Sequence, residues 1–306
     1  MRATLLALNE ELLRLKAAGV TTVNVSDDSI RTLRQLSGAK NPVAPTQPAE
    51  PASRQPRTLS EVPRIDRKPT PSVRVEAPTP KLPEAPKVEL PEGDKQTQWD
   101  ALVAMVQHDE VCQRFLRPGK KIAVGTGDLD AKIFFCGEAP GAEEEIKGEP
   151  FVGPAGQLLD KMIKGMGVER SQVYIGNIMN WRPQIPTEEG REQIGNRPPT
   201  AEEITYCLPY LRAQLAIVKP AVIVALGATA AKGLLGYDKF KTLGEVRSNW
   251  HEFSDVPVMV TYHPSYILRN QSQRSKRAIW EDLLQVMEKV ALPISDKQRG
   301  YFQARS

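Results

Sequence analysis

Cysteine is scarce in this chain. Three Cys in 306 residues cannot staple a disulfide scaffold, and they fall short of the four thiolates that an all-cysteine four-iron cluster takes. Histidine is as rare, also three, spread along the chain with few Asp or Cys nearby, which argues against zinc. No run of 18 apolar residues occurs, so no membrane span is expected. The N-terminus turns charged at Glu10 and Glu11 before an apolar run long enough for a secretory signal, so a cytoplasmic protein is expected. Neither sign of charge dominates: 41 Lys and Arg face 37 Asp and Glu. That balance permits a nucleic-acid partner without demanding one. Gly-x-Gly-x-x-Gly and the Walker loop are both missing.

Proline is plentiful and uneven. Of 26 Pro, 13 lie between Pro42 and Pro91, among eight Lys or Arg and six Asp or Glu. Proline removes backbone donors and favours extended chain, so residues 41–95 read as a flexible linker, either a plain spacer or a weak tether to DNA. Residues 1–40 read as a small helical appendage. Leu5, Leu8, Leu12 and Leu15 share one helical face, and such short helices need something to dock on: the main domain, another chain or a protein partner. The main domain is expected over 96–291, and 292–306 as a C-terminal tail.

Within the main domain, strand and helix signals alternate. Short apolar runs at 131–136, 172–175, 221–226 and 256–261 are each followed by a loop, and helical patterns occupy 99–111, 155–166, 201–218, 228–235 and 275–290. Thr200 with Glu203 forms a capping box before one of them. Ala221 to Leu226 is apolar without a break, as the centre of a parallel sheet requires. The pattern predicts a three-layer α/β/α domain around a central, mostly parallel sheet. Ligands of such domains bind beyond the carboxyl ends of the strands, so the loops after Cys136, Ile175, Leu226 and Thr261 should share a rim.

The unusual residues sit in those loops. Gly137-Glu138-Ala139-Pro140-Gly141 allows close backbone approach to a ligand. Gly148 to Gly156 sets Phe151 among three Gly and two Pro besides itself, a rigid turn suited to stacking a planar base. Asn177 offers a donor and an acceptor side by side, complementary to the O4 and N3–H of a uracil ring. His263, in a turn set by Pro264, suits a donor to a developing oxyanion. Ser265 suits a phosphate contact or a cap. Tyr266, Ile267 and Leu268 suit an apolar wedge between bases. Arg269, Arg274, Lys276 and Arg277 suit phosphates. Each has an ordinary structural reading as well: a core Phe, a turn-capping Asn, a basic helix start.

Taken together and in this order, Gly-Glu-Ala-Pro-Gly at 137, Gly-Glu-Pro-Phe-Val-Gly-Pro-Ala-Gly at 148, Asn177-Ile178, Arg182-Pro183 and His263-Pro264-Ser265 resemble the uracil-DNA glycosylase superfamily, families 4 and 5 above all. The resemblance covers residues 100 to 290. It implies an enzyme of base excision repair that hydrolyses the N-glycosidic bond of uracil in single- or double-stranded DNA, after flipping the nucleotide out of the stack. It further implies Phe151 stacked on the base, Asn177 reading its polar edge and His263 donating to O2. Gly137 and Ala139 would shape the pocket, and Glu138 would orient or activate water. Ser265, Tyr266, Leu268, Arg269, Lys276 and Arg277 would meet the DNA, and the protein would act as a monomer.

Two alternatives stay open: a glycosylase for hypoxanthine or xanthine, and a non-catalytic damaged-DNA-binding protein of the same fold. Family 4 carries an iron–sulfur cluster on four cysteines. The resemblance places Cys112 and Cys207 at the first and fourth positions but Phe115 and Trp181 at the second and third. No cluster and no metal is therefore expected, with the two rings filling that volume. Residues 184–194 look like an insertion beside it.

Overall fold

In the computed structural model, residues 82–187 and 191–303 are described. The appendage expected at 1–40, its protein partner and the linker up to residue 81 lie outside them. Helices α1 (Lys95–His108) and α2 (Glu110–Arg114) come first, each opened by an aspartate. Asp94 Oδ1 accepts from Thr97 N at 2.8 Å and Asp109 Oδ1 from Cys112 N at 2.7 Å, satisfying amides that have no partner within the helix. Then follow β1 (Gly125–Gly127), β2 (Ile133–Gly137), α3 (Ala142–Lys147), α4 (Pro154–Gly165), β3 (Tyr174–Asn177), α5 (Ala201–Val218), β4 (Val222–Leu226), α6 (Ala228–Leu235) and α7 (Leu243–Val246). The chain closes with β5 (Trp250–Phe253), β6 (Val256–Thr261), α8 (Pro264–Arg269), α9 (Gln273–Lys289) and α10 (Asp296–Arg299).

The strands form one six-stranded sheet in the order β1-β3-β2-β4-β6-β5. The inner four are parallel and the two edges antiparallel, so the carboxyl ends of β2, β3, β4 and β6 all open on one side. The order reverses between β2 and β4, where a crevice forms in folds of this kind. Alternate residues of each strand feed opposite layers. Ile133, Phe135, Val222, Val224 and Met259 pack against Leu159 and Ile163 of α4 and Leu283 of α9. Phe134, Cys136, Ile223, Ala225 and Val258 pack against Leu211 and Leu215 of α5 and Leu234 of α6. This is the expected three-layer α/β/α arrangement. The Thr200–Glu203 capping box is present, with Glu203 N donating to Thr200 Oγ1 at 3.2 Å and Thr200 N to Glu203 Oε2 at 2.8 Å.

Two boundaries differ from expectation. Leu82, Val88 and Leu90, read as linker, pack on a third cluster formed by Leu102, Val106, Trp181 and Ile217, because apolar side chains between prolines still lose water-exposed area by lying on a surface. Residues 292–303, expected as part of a C-terminal tail, pack on the domain as well. Trp280 Nε1 donates to Gln298 O at 2.6 Å, Gln298 Nε2 to Gly165 O at 2.9 Å, and Tyr301 packs 5.2 Å from Trp280. Among the described residues no helix is long and apolar enough to cross a membrane.

Leu283 is fully buried between α9 and the sheet. Leu283→Ala should cost about 2–5 kcal/mol, read as a lower urea midpoint with an unchanged slope.

Candidate functional site

Parallel register builds the site. Gly137, the last residue of β2, pairs with Asn177, the last of β3. A Cβ at Gly137 would fall on Asn177 Oδ1 and 2.5 Å from Phe151 Cε2, so only glycine lets the amide and the ring meet there. Phe151 in turn lies 5.6 Å from the His263 ring, centroid to centroid, at an interplanar angle of 29°. The three residues expected to hold a base thus meet from three separate segments: the end of β3, the loop before α4 and the start of α8.

Phe151 is held under strain. Its φ is 54°, a left-handed conformation that costs a bulky residue about 1–3 kcal/mol. Arg170 secures it: Nη1 donates to Phe151 O at 3.1 Å and Nη2 to Pro150 O at 2.8 Å, while Nη1 also reaches Asp160 Oδ1 at 2.8 Å. A Cβ at Gly156 would overlap the Phe151 carbonyl, so the first turn of α4 must be glycine there to seat this loop. Glu144 joins the two loops, accepting from Gly141 N at 3.1 Å, Val152 N at 3.1 Å and Gly153 N at 3.0 Å.

Asn177 is 2% exposed, and its Oδ1 has no hydrogen-bond partner within the protein. A buried acceptor left unpaired is costly, and it marks a position where a ligand donor fits. His263 caps α8. Its Nδ1 accepts from Ser265 N at 3.1 Å and lies 2.9 Å from Ser265 Oγ. A backbone amide can only donate, so Nδ1 carries no proton and the neutral ring holds its hydrogen on Nε2. Burial first, then the nearby Arg269 charge, lowers the His263 pKa to about 4, against a smaller opposing pull from Glu144. Glu138 is half-buried. Burial raises its carboxyl, and a hydrogen bond with Thr229 partly offsets this. The site therefore presents an unpaired acceptor, a neutral N–H donor, a stacking ring and a carboxylate of raised basicity.

The other expected residues divide. Ala139 packs toward the third cluster, leaving its backbone to the rim. Ser265 is committed to His263 rather than facing outward. The segment expected as a wedge is the helix α8, and helical periodicity turns most of it inward. Ile267 is buried, and Tyr266 stacks on Tyr262 at 4.6 Å while accepting from Asn270 Nδ2 at 3.1 Å. Leu268, 41% exposed, projects from it. Arg269 is exposed and Lys276 half-buried. Arg277 donates to Glu281 at 2.9 Å, Arg299 O at 2.7 Å and Tyr301 O at 2.8 Å, which spends most of its donors on the C-terminal segment. Sequence reading missed Glu144, Arg170 and Thr229. Only Glu144 carried a signal, three residues after the loop glycine at the capping-box position. Residues flanking 188–190 fold back on the domain, with Arg117 Nη2 donating to Ile185 O and Gln193 Oε1, both at 2.9 Å.

Comparison with known proteins places this geometry in context. A family model, uracil DNA glycosylase superfamily, matches residues 124–284. The type-4 uracil-DNA glycosylase of Thermotoga maritima is 42% identical over 163 residues, covering 53% of this chain and 79% of the relative. The type-4 enzyme of Pyrobaculum aerophilum is 37% identical over 163 residues, 51% of this chain and 78% of the relative. A type-5 uracil-DNA glycosylase of the same organism is 30% identical over 180 residues, 54% and 73% respectively.

These relatives overturn the expectation of a chain without a cofactor. Two of them carry the type-4 name, the family for which the resemblance implies an iron–sulfur cluster, and that counts against the expectation. The residues present fit a four-thiolate cluster poorly. Phe115 and Trp181, at two of the positions that the resemblance assigns to ligands, stack at 5.3 Å and 8°. Cys112 and Cys207 are buried free thiols that burial pushes well above the ordinary thiol range. Among the described residues no group of three or more His, Cys, Asp and Glu is placed to hold a metal ion.

The half-buried His263 should titrate by NMR with a midpoint near 4 instead of the ordinary value of about 6.5. Because its folded pKa lies below the unfolded one, the stability it contributes is complete above the unfolded value. It is lost as pH falls from about 6.5 toward 4, which acid unfolding of wild type and His263→Gln will show.

Proposed function

This chain belongs to the uracil-DNA glycosylase superfamily, and on that premise we propose that it removes uracil from DNA by hydrolysing the N-glycosidic bond. What supports the reading is the meeting at Gly137 of a strained aromatic ring and an unpaired buried amide oxygen, with a neutral histidine donor whose ring lies 5.6 Å from the aromatic one. A base stacked in a duplex cannot present its glycosidic carbon to such a recess, so the nucleotide must swing out.

Once flipped, uracil stacks on Phe151. Asn177 Oδ1 accepts its N3–H and the amide nitrogen donates to O4. Cytosine offers a lone pair at N3, which would face the same oxygen and leave it unpaired, so the canonical base is rejected by the cost of an unmet buried acceptor. As the bond from N1 to C1′ lengthens, its electron pair moves into the ring and collects on O2. His263 Nε2–H donates to that oxygen. A neutral donor stabilises the new charge without holding the ground state equally well, which is what lowers the barrier. The sugar gains cationic character, which the DNA phosphates help to stabilise. Water adds at C1′ and passes its proton to Glu138, whose raised pKa makes it the better acceptor. That proton passes on through solvent to the departing uracil anion, so the products are free uracil and an abasic site, as at the start of base excision repair. Three unpaired thiols suit the reducing cytoplasm. Leu268 and Arg269, exposed on α8, are the residues that meet DNA beside the pocket.

The decisive measurement is base release across oligonucleotides carrying uracil, hypoxanthine or xanthine. Uracil alone should be freed. His263→Ala should lower the single-turnover rate about 100- to 1,000-fold, and Glu138→Gln about 100-fold or more. Asn177→Ala should erode the preference for uracil over cytosine. Release of hypoxanthine at a matching rate, or wild-type rates from all three variants, would overturn this assignment.

A further inference from the structure

A cavity of about 540 Å³ opens between the start of α9, the turn after α7 and the C-terminal segment. Its walls include Arg247, Arg274, Arg277, Glu281 and Phe302, so three guanidinium groups face one carboxylate, itself tied to Arg277. Two of the arginines are anchored yet keep donors to spare. Arg247 bonds Ala278 O and both Asp282 oxygens through Nη1 alone, at 2.8–3.0 Å, and Arg277 bonds through Nε and Nη1. The Nη2 groups are left over. Arg274 is exposed and takes part in no ion pair among the described residues. Phe302 holds φ 60°, a strained setting for an aromatic residue, and stays 38% exposed, braced edge-on by Trp280 at 6.4 Å. One wall residue also touches the segment that carries His263: the Arg247 guanidinium sits 5.1 Å over the ring of Tyr262.

Fixed guanidinium groups with unused donors suit a phosphate, and an exposed ring at the same wall suits a nucleobase. A base can reach that ring only when it is unpaired. We propose that this cavity seats one unpaired nucleotide of the DNA strand, its phosphate on Arg247 and Arg274 and its base on Phe302. The proposal rests on the reading of this protein as a DNA glycosylase and adds a preference for single-stranded stretches flanking the lesion.

The test uses the full chain and a fluorescent single-stranded oligonucleotide free of uracil, so that the catalytic recess does not contribute. Binding is followed by anisotropy over a range of salt. Phe302→Gly, which suits the positive φ, should weaken binding about tenfold. Arg274→Ala should reduce the slope of log affinity against log salt by about 0.7, the loss of one phosphate contact to a single strand. Unchanged affinity and slope in both variants would overturn the proposal. So would displacement of the strand by a free deoxynucleoside monophosphate at equal affinity, which would make the cavity a mononucleotide site. Release of uracil by the wild type is scored separately. If that fails while the variants still bind the strand weakly, the glycosylase reading falls and the strand site stands.

Discussion

Everything in the site depends on one close approach. Parallel pairing brings the ends of β2 and β3 level, and the missing side chain at Gly137 lets a ring from one loop and an amide from another occupy the same small space. Neither group could reach that position alone. The ring needs a left-handed backbone at Phe151, and this is tolerable because Arg170 ties down both neighbouring carbonyls. The loop also needs Glu144, whose carboxylate takes three backbone amides. A free loop of this composition would sample many conformations, and ordering it costs entropy. Here that cost is met by charge-assisted hydrogen bonds within the fold, before any ligand arrives.

His263 is positioned from the opposite direction. Thr261, at the end of β6, donates to the buried Asp282 at 2.6 Å, as do Ser248 at 2.7 Å and Arg247 at 2.8 Å. A carboxylate this deep in the protein survives only when its oxygens are fully used. The cluster fastens α9, the α7–β5 turn and β6 at one point, two residues before the histidine. Burial keeps the imidazole neutral and the Ser265 amide selects its tautomer. Position, charge state and proton location therefore come from three different contacts.

The region around Cys112 and Cys207 is held by aromatic packing and a shared carboxylate. The stacked rings of Phe115 and Trp181 make it continuous with the third apolar cluster. Asp109 serves that region twice, capping α2 and accepting from the hydroxyls of Tyr206 and Tyr210 at 2.7 and 2.9 Å. Helices α1, α2 and α5 are thereby held together through side-chain contacts made by this chain's own residues.

Periodicity made most of the architecture legible. The unbroken apolar run of β4, the Thr200–Glu203 cap and the stripe of α9 each follow from local chemistry, and their alternation implied the sheet and the side on which ligands bind. Motif spacing likewise singled out Phe151, Asn177 and His263. Local pattern failed where partners far along the chain decide the outcome. Gly125–Gly127 and Trp250–Phe253 become strands because β3 and β6 offer free edges, not because of their own composition. The basic run at the start of α9 gave no sign that Arg277 would be spent on carbonyls more than twenty residues away. Residue type and spacing settle which groups are present and which faces they prefer. Their distances, protonation and free donors depend on contacts between segments that lie far apart in sequence, and those exist only once the chain has folded.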